Sequence, residues 1–230
     1  MRERKKFILF TIIKEHIESK IPVGSSILVK KYKLDISPAT VRNIMVELEE
    51  EGYIWQPYTS AGRVPTEKAY QLYVDSLKIE SLNILSGKEK KNLDDFLKNF
   101  DEKGFKEAAK ILADLSGNAV FWAFHKNNLY YTGISNLLQQ PEFGRSGSLL
   151  NISAVIDRMD EIISDIFERL DIKTQTLIGS DNPFGGFCST VLAKYKVANR
   201  HGLFGVLGPL RMNYKKNISL VDYIFTKINK

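Results

Sequence analysis

The sequence predicts an α+β protein. A helical N-terminal unit closed by a short hairpin precedes a larger unit with helices and a mainly antiparallel sheet. Three observations lead there. Between Ser37 and Gly52 apolar residues recur at helical spacing. From Tyr53 to Val64 two short extended stretches flank a polar turn. Beyond Asn118, apolar runs of strand length are joined by turn signals, with helices grouped between them, a pattern of α+β rather than of strictly alternating α/β chains.

Taken in order, residues 3–20 form an amphipathic first helix marked by Phe7, Ile8, Phe10, Thr11, Ile13 and Ile17, and Ile21-Pro22-Val23-Gly24 ends it. Ser25 caps a second helix through Tyr32, with Ile27, Leu28 and Val29 inside and Lys30 and Lys31 near its end. After the turn Leu34-Asp35-Ile36, Ser37 is the N-cap of a third helix and Pro38 occupies the first helical position, where its missing N–H is no loss. Val41, Ile44, Met45 and Leu48 are its buried face, and Gly52 ends it in the left-handed conformation. Tyr53–Gln56 and Arg63-Val64 are the strands of a hairpin, with Gly62 giving its turn backbone freedom. Three helices and a β-wing are a winged helix-turn-helix. Thr66 then caps a helix carrying Tyr70, Leu72, Tyr73, Val74 and Leu77.

The exposed face of the third helix carries the chemistry. Ala39, Thr40, Arg42, Asn43 and Val46 lie away from the apolar stripe, crowded into its first half. Arg pairs bidentately with guanine and Asn with adenine, while Ala and the Thr methyl contact the thymine methyl. A recognition helix meets base edges with its N-terminal residues. The candidate DNA-binding residues are therefore Ser37, Ala39, Thr40, Arg42 and Asn43, with Lys30, Lys31, Gln56 and Arg63 reaching phosphate or the minor groove. Glu47, Glu49, Glu50 and Glu51 repel phosphate from the helix's far end. Residues 1–46 hold ten Lys/Arg and four acids, an excess equal to the net charge of +6 of the whole 230-residue chain. Such a basic N-terminal block suits a polyanion.

The segment SPATVRNIMVELEEEGYIWQPYTSAGRVPTEKAYQLYVDSL (37–77) resembles the heat-inducible transcription repressor HrcA family. YYTGISNLLQQPEF (130–143), IGSDN (178–182) and GVLGPLRMNYKKNISLVDYI (205–224) agree with it in order. The resemblance implies a GAF-like fold for the second unit. It also implies a homodimer that represses chaperone genes at an inverted-repeat operator, CIRCE, with the GroE chaperonin supporting activity. Family members are usually longer, with an inserted middle segment.

The expected domains are 1–80, the winged helix-turn-helix; 81–117, a helical linker and dimerisation region; and 118–230, the GAF-like domain. Within them, 81–91 reads as linker and Asp94–Leu115 as helix, split at Gly104. Ala119–Phe124 pairs with Leu129–Thr132 across an Asn127-Asn128 turn. Residues 133–147 are irregular, and 149–170 form a helix. Strands follow at 174–178, 187–194 and 203–207, with a last helix at 221–228.

Enzymatic chemistry finds no footing in this sequence. His16, His125 and His201 lie on separate elements without ligand spacing, and Gly185-Gly186 precedes a strand rather than opening a helix. The single Cys188, in an apolar context, reads as a small core residue. No catalytic residue, metal or cofactor is expected. No signal peptide or transmembrane run is seen, so the expected location is the cytoplasm, away from membranes. Arg211 either binds an anion in a GAF-type pocket or pins its loop to a carboxylate such as Asp222. Two other functions compete with the repressor reading. One is a winged-helix regulator whose second domain senses a small molecule through the loops 133–147 and 179–187. The other is a protein- or RNA-interaction module.

Overall fold

The computed structural model describes residues 1–77, 84–97, 101–125, 128–143, 146–197 and 200–229, of which 146–150 by their backbone alone. The chain divides into two units, Met1–Leu77 and Lys78–Lys230.

The first unit packs α1 (Glu3–Ser19), α2 (Ser25–Tyr32) and α3 (Pro38–Glu50) against a hairpin of β1 (Ile54–Trp55) and β2 (Val64–Pro65), and α4 (Glu67–Asp75) follows. The strands are antiparallel, Ile54 opposite Pro65 and Trp55 opposite Val64. A bridge between Val23 and Arg63 extends the ladder, each N–H donating to the other's carbonyl at 2.9 Å. Ile8, Leu9, Ile12, Ile13, Leu28, Val41, Leu48 and Ile54 are all but fully buried and make the core. Tyr70 of α4 joins them, its hydroxyl 2.7 Å from Nδ1 of the buried His16. Three expectations are corrected here. Gly24, not Ser25, is the N-cap of α2. Phe7 and Ile27, assigned to apolar faces, are 56% and 43% exposed, because their helical positions fall outside the stripes that meet the core. Ile44 is only half-buried, at the edge of its stripe.

The second unit is a five-stranded antiparallel sheet in the order β4-β3-β7-β6-β5. Its strands are β3 (Ala119–His125), β4 (Asn128–Thr132), β5 (Thr174–Ile178), β6 (Cys188–Val197) and β7 (Arg200–Pro209). α5 (Gly87–Phe96), α6 (Glu102–Ser116) and α10 (Tyr214–Ile228) gather on one face, where Trp122 stacks between Phe105 and Phe204 at centroid distances of 4.9 and 4.5 Å. Tyr195 accepts the Trp122 indole N–H at 2.8 Å, so the buried donor is satisfied. The opposite face carries Phe121, Cys188, Leu192 and Leu203 against Leu137, Ile152, Ile163 and Phe167, which come from α7 (Ile134–Leu138), α8 (Ser146–Asp157) and α9 (Met159–Phe167). A sheet covered on both faces must be apolar on both, which explains the unbroken burial of Gly202–Pro209.

Several boundaries differ from expectation. The stretch read as linker, 81–91, already contains the start of α5, because Ser86 and Glu89 form a capping box. Gly104 does not split the following helix. α6 instead runs through Gly104, and it starts at the N-cap Asp101, whose carboxylate accepts the Gly104 N–H at 2.7 Å. α7 occupies part of the segment read as irregular, and a non-helical Arg158 separates α8 from α9. α10 begins seven residues early, capped by Asn213, since its lysines face outward while Tyr214, Asn217 and Ile218 are buried. Asn127 lies outside the described residues.

Candidate nucleic-acid interface

The start of α3 is fixed locally. Ser37 Oγ accepts the Thr40 N–H at 3.1 Å and lies 2.9 Å from the Thr40 hydroxyl. At the other end Gly52, at φ +73°, turns the chain toward the hairpin. Thr66 then donates its hydroxyl to the carbonyls of Gly52 and Tyr53 at 2.8 and 3.1 Å, tying α4 to that turn. With Val41, Met45 and Leu48 inside, Ser37, Ala39, Thr40, Arg42, Asn43 and Val46 are exposed together on one face.

The acidic far end of α3 is partly neutralised from within. Lys5 of α1 reaches Glu47 at 2.6 Å and Glu51 at 2.7 Å. The Glu47 and Glu51 carboxylates raise the Lys5 pKa, and Lys5 in turn lowers that of Glu47. Arg63 Nη2 lies 2.9 Å from Glu49. Sequence reasoning placed Glu49 in the acidic run but missed its pairing with Arg63, and it missed the role of Lys5. Nothing local announces these pairs, because the partners meet only once α1, α3 and the hairpin pack.

The remaining candidates fall into different settings. Lys30 is exposed. Lys31 is held by Glu15 at 2.6 Å and Glu18 at 2.9 Å, and their carboxylates raise its pKa well above the usual lysine range. Gln56 turns inward and donates to the carbonyls of Thr59 and Ala61 at 2.8 and 2.9 Å, bracing the hairpin loop. The Arg63 side chain is 15% exposed, with its Nε buried and without a hydrogen-bond partner. Beside it runs a groove of about 420 Å³ between the N-terminus of α2, Arg42 of α3 and the hairpin loop 56–63. Gly62 is part of its lining. A Cβ there would meet the Val23 backbone carbonyl carbon at 2.4 Å, so only glycine lets the hairpin dock.

Arg211 lies in the second unit and is 5% exposed. Its guanidinium forks onto both carboxylate oxygens of Glu142, with Nη2 to Oε2 at 2.7 Å, and Nη2 also donates to Gln140 Oε1 at 2.9 Å. Asp222, the expected partner, instead accepts from the Thr174 hydroxyl at 3.2 Å. Cys188 is buried, and burial pushes its thiol pKa up to about 12.

Fold and surface together define an α+β chain in which a small helix-and-hairpin unit precedes a larger antiparallel-sheet unit. The chain belongs to the HrcA family: the family model described as the HrcA protein C terminal domain matches residues 37–218. A heat-inducible transcription repressor HrcA of Carboxydothermus hydrogenoformans is 27% identical over 326 aligned positions, covering 96% of this chain and 95% of the relative. That alignment is longer than the 230 residues here, so the relative carries residues without a counterpart in this chain. The heat-inducible transcription repressor HrcA of Geobacter sulfurreducens is 60% identical over 75 residues, 33% of this chain and 22% of the relative. A crystal structure titled only as a hypothetical protein superposes with a TM-score of 0.81 at 17% identity, covering 100% of this chain and 98% of that one, which shows a shared fold. The family is one of transcription repressors, not of enzymes. Among the described residues no helix is long and apolar enough to cross a membrane.

Proposed function

We propose that the chain is a sequence-specific, double-stranded DNA-binding repressor of heat-inducible genes. In this reading residues 1–77 are a winged helix-turn-helix with α3 as recognition helix, and the sheet unit is a GAF-like domain. The observation that carries the reading is the exposed cluster Ala39, Thr40, Arg42 and Asn43 on the N-terminal half of α3, held by the Ser37 cap. These side chains match base edges in the major groove. One recognition helix reads few base pairs, so the protein binds as a homodimer to an inverted repeat of the CIRCE type. The names of its relatives support the heat-inducible part of the reading. We further expect, from the family resemblance alone, that the GroE chaperonin restores the active form after heating and that the protein works in the cytoplasm.

The test is a fluorescence-anisotropy titration with an inverted-repeat CIRCE duplex and a scrambled duplex. The expected result is binding to the repeat on the order of 10³-fold tighter than to the scramble. Arg42→Ala and Asn43→Ala each weaken binding to the repeat by about 1–3 kcal/mol and erode that ratio. Heating without chaperonin lowers the active fraction, and GroE restores it. Equal affinity for both duplexes would overturn the reading.

A further inference from the structure

The groove beside Arg63 borders the base-reading face of α3 at Arg42, and three features give it a chemistry of its own. Its lining includes two cations, Arg42 and Arg63, and no carboxylate among the described residues. The N-terminal turn of α2 opens into it at Ser25 and Ser26, and the first N–H groups of a helix have no intrahelical acceptor. The Arg63 guanidinium is incompletely satisfied. Glu49 takes one Nη at 2.9 Å, while the Nε N–H is buried without an acceptor. A buried charged donor left unmade is costly, so the arrangement favours an incoming anion.

We infer that this groove seats one phosphate of the DNA backbone, and that Arg63 reaches it by exchanging Glu49 for the phosphate. The inference rests on the DNA-binding reading above and adds a contact and a restraint to it. The Val23–Arg63 bridge fixes the arginine backbone at the groove wall. Only the guanidinium has to turn, from a carboxylate on α3 to a phosphate between α2 and the hairpin. A phosphate matches the fork of arginine bidentately, as Glu49 does not in the free protein. Glu49 is therefore a competitor built into the protein. It holds Arg63 when DNA is absent and lowers affinity for every duplex alike, because a phosphate contact carries no sequence information.

The experiment is a salt series of anisotropy titrations with the full chain, the inverted-repeat duplex and the scrambled duplex, for wild type, Arg63→Ala and Glu49→Gln. Arg63→Ala is expected to weaken both duplexes on the order of tenfold at low salt and to make the salt slope shallower by about 1. Glu49→Gln is expected to tighten both severalfold. A single methylphosphonate, walked along the repeat, should find one position per half-site at which wild type is weakened and Arg63→Ala is not. A wild-type slope in Arg63→Ala, or a loss confined to the inverted repeat, would overturn the inference while leaving the repressor reading intact. Should Arg63→Ala fail to fold, Glu49→Gln against Glu50→Gln decides: tightening on both duplexes beyond that of Glu50→Gln, which removes the same charge without touching Arg63, supports the exchange, and equal or no tightening refutes it. Wild type that binds neither duplex would remove both readings at once.

Discussion

Glu89 is a single carboxylate with two duties. It closes the capping box of α5, accepting from the Ser86 N–H at 2.7 Å, and it pairs with Lys216 of α10. Lys216 first, then the Ser86 backbone and hydroxyl, lower its pKa to about 2. Between the ordinary carboxylate value and that lowered value the unfolded chain binds the extra proton. The stabilisation is therefore complete above about pH 4.5 and is lost as pH falls toward 2. Because the pair is near solvent its worth is roughly 1 kcal/mol or less. Denaturant melts of wild type and Glu89→Gln should differ by that amount at pH 7 and converge as pH approaches 2. A gap that persists at acid pH would assign the effect to packing instead. The same signature, Ser-x-x-Glu, stands in the sequence at 86–89 and would have located α5, had the surrounding Lys and Gly not read as linker. No such local sign exists for the Arg63–Glu49 or Lys31–Glu15 pairs, whose partners are 14 and 16 residues apart and belong to different elements.

At the scale of elements, legibility followed capping chemistry and period. α3 was readable to the residue at its start, because Ser37-Pro38 is a start signal and the apolar stripe that follows has a clean 3.6 period. β5 was equally plain as Thr174–Ile178, bounded by polar residues. The interruption at Arg158 carried no Gly or Pro, so α8 and α9 read as one helix. α7 is five residues long, too short for a period to show. Because the Ser37 cap both stabilises α3 and aims its first turn, Ser37→Ala should cost about 1 kcal/mol in the stability of the N-terminal unit. Thermal melts would register that loss, and Ser37→Asp should recover most of it, since an aspartate also caps and suits the helix N-terminus. A melt unchanged by Ser37→Ala would mean that packing alone sets the start of α3.

On the scale of the whole chain, the division at Leu77 and Lys78 separates a small helical unit from a sheet unit with its own two-faced core. The mixed helix and antiparallel sheet of the second unit was legible, because hairpin signals and grouped helices are properties of neighbouring residues. The strand order was not, since pairing β3 with β7 joins segments some eighty residues apart. The Arg211 loop shows the same limit: the sequence suggested a carboxylate partner, and the fold supplied Glu142 and Gln140. If the repressor reading holds, two chains occupy one inverted repeat. Sedimentation of the stoichiometric complex should give a 2:1 ratio of protein to duplex, whereas a half-site duplex should bind one chain far more weakly. A 1:1 complex on the full repeat would refute the homodimer.

Gly62 carries a consequence for heredity. Its constraint is steric, a missing Cβ against the Val23 backbone, unlike that of Gly52, whose positive φ is a matter of conformation in open space. Every single-nucleotide change at the first or second place of a glycine codon installs a side chain or stops translation. The hairpin's seat on the α1–α2 connection therefore tolerates no one-step amino-acid replacement, and a lineage can change the residue at Gly62 only after Val23 has already moved.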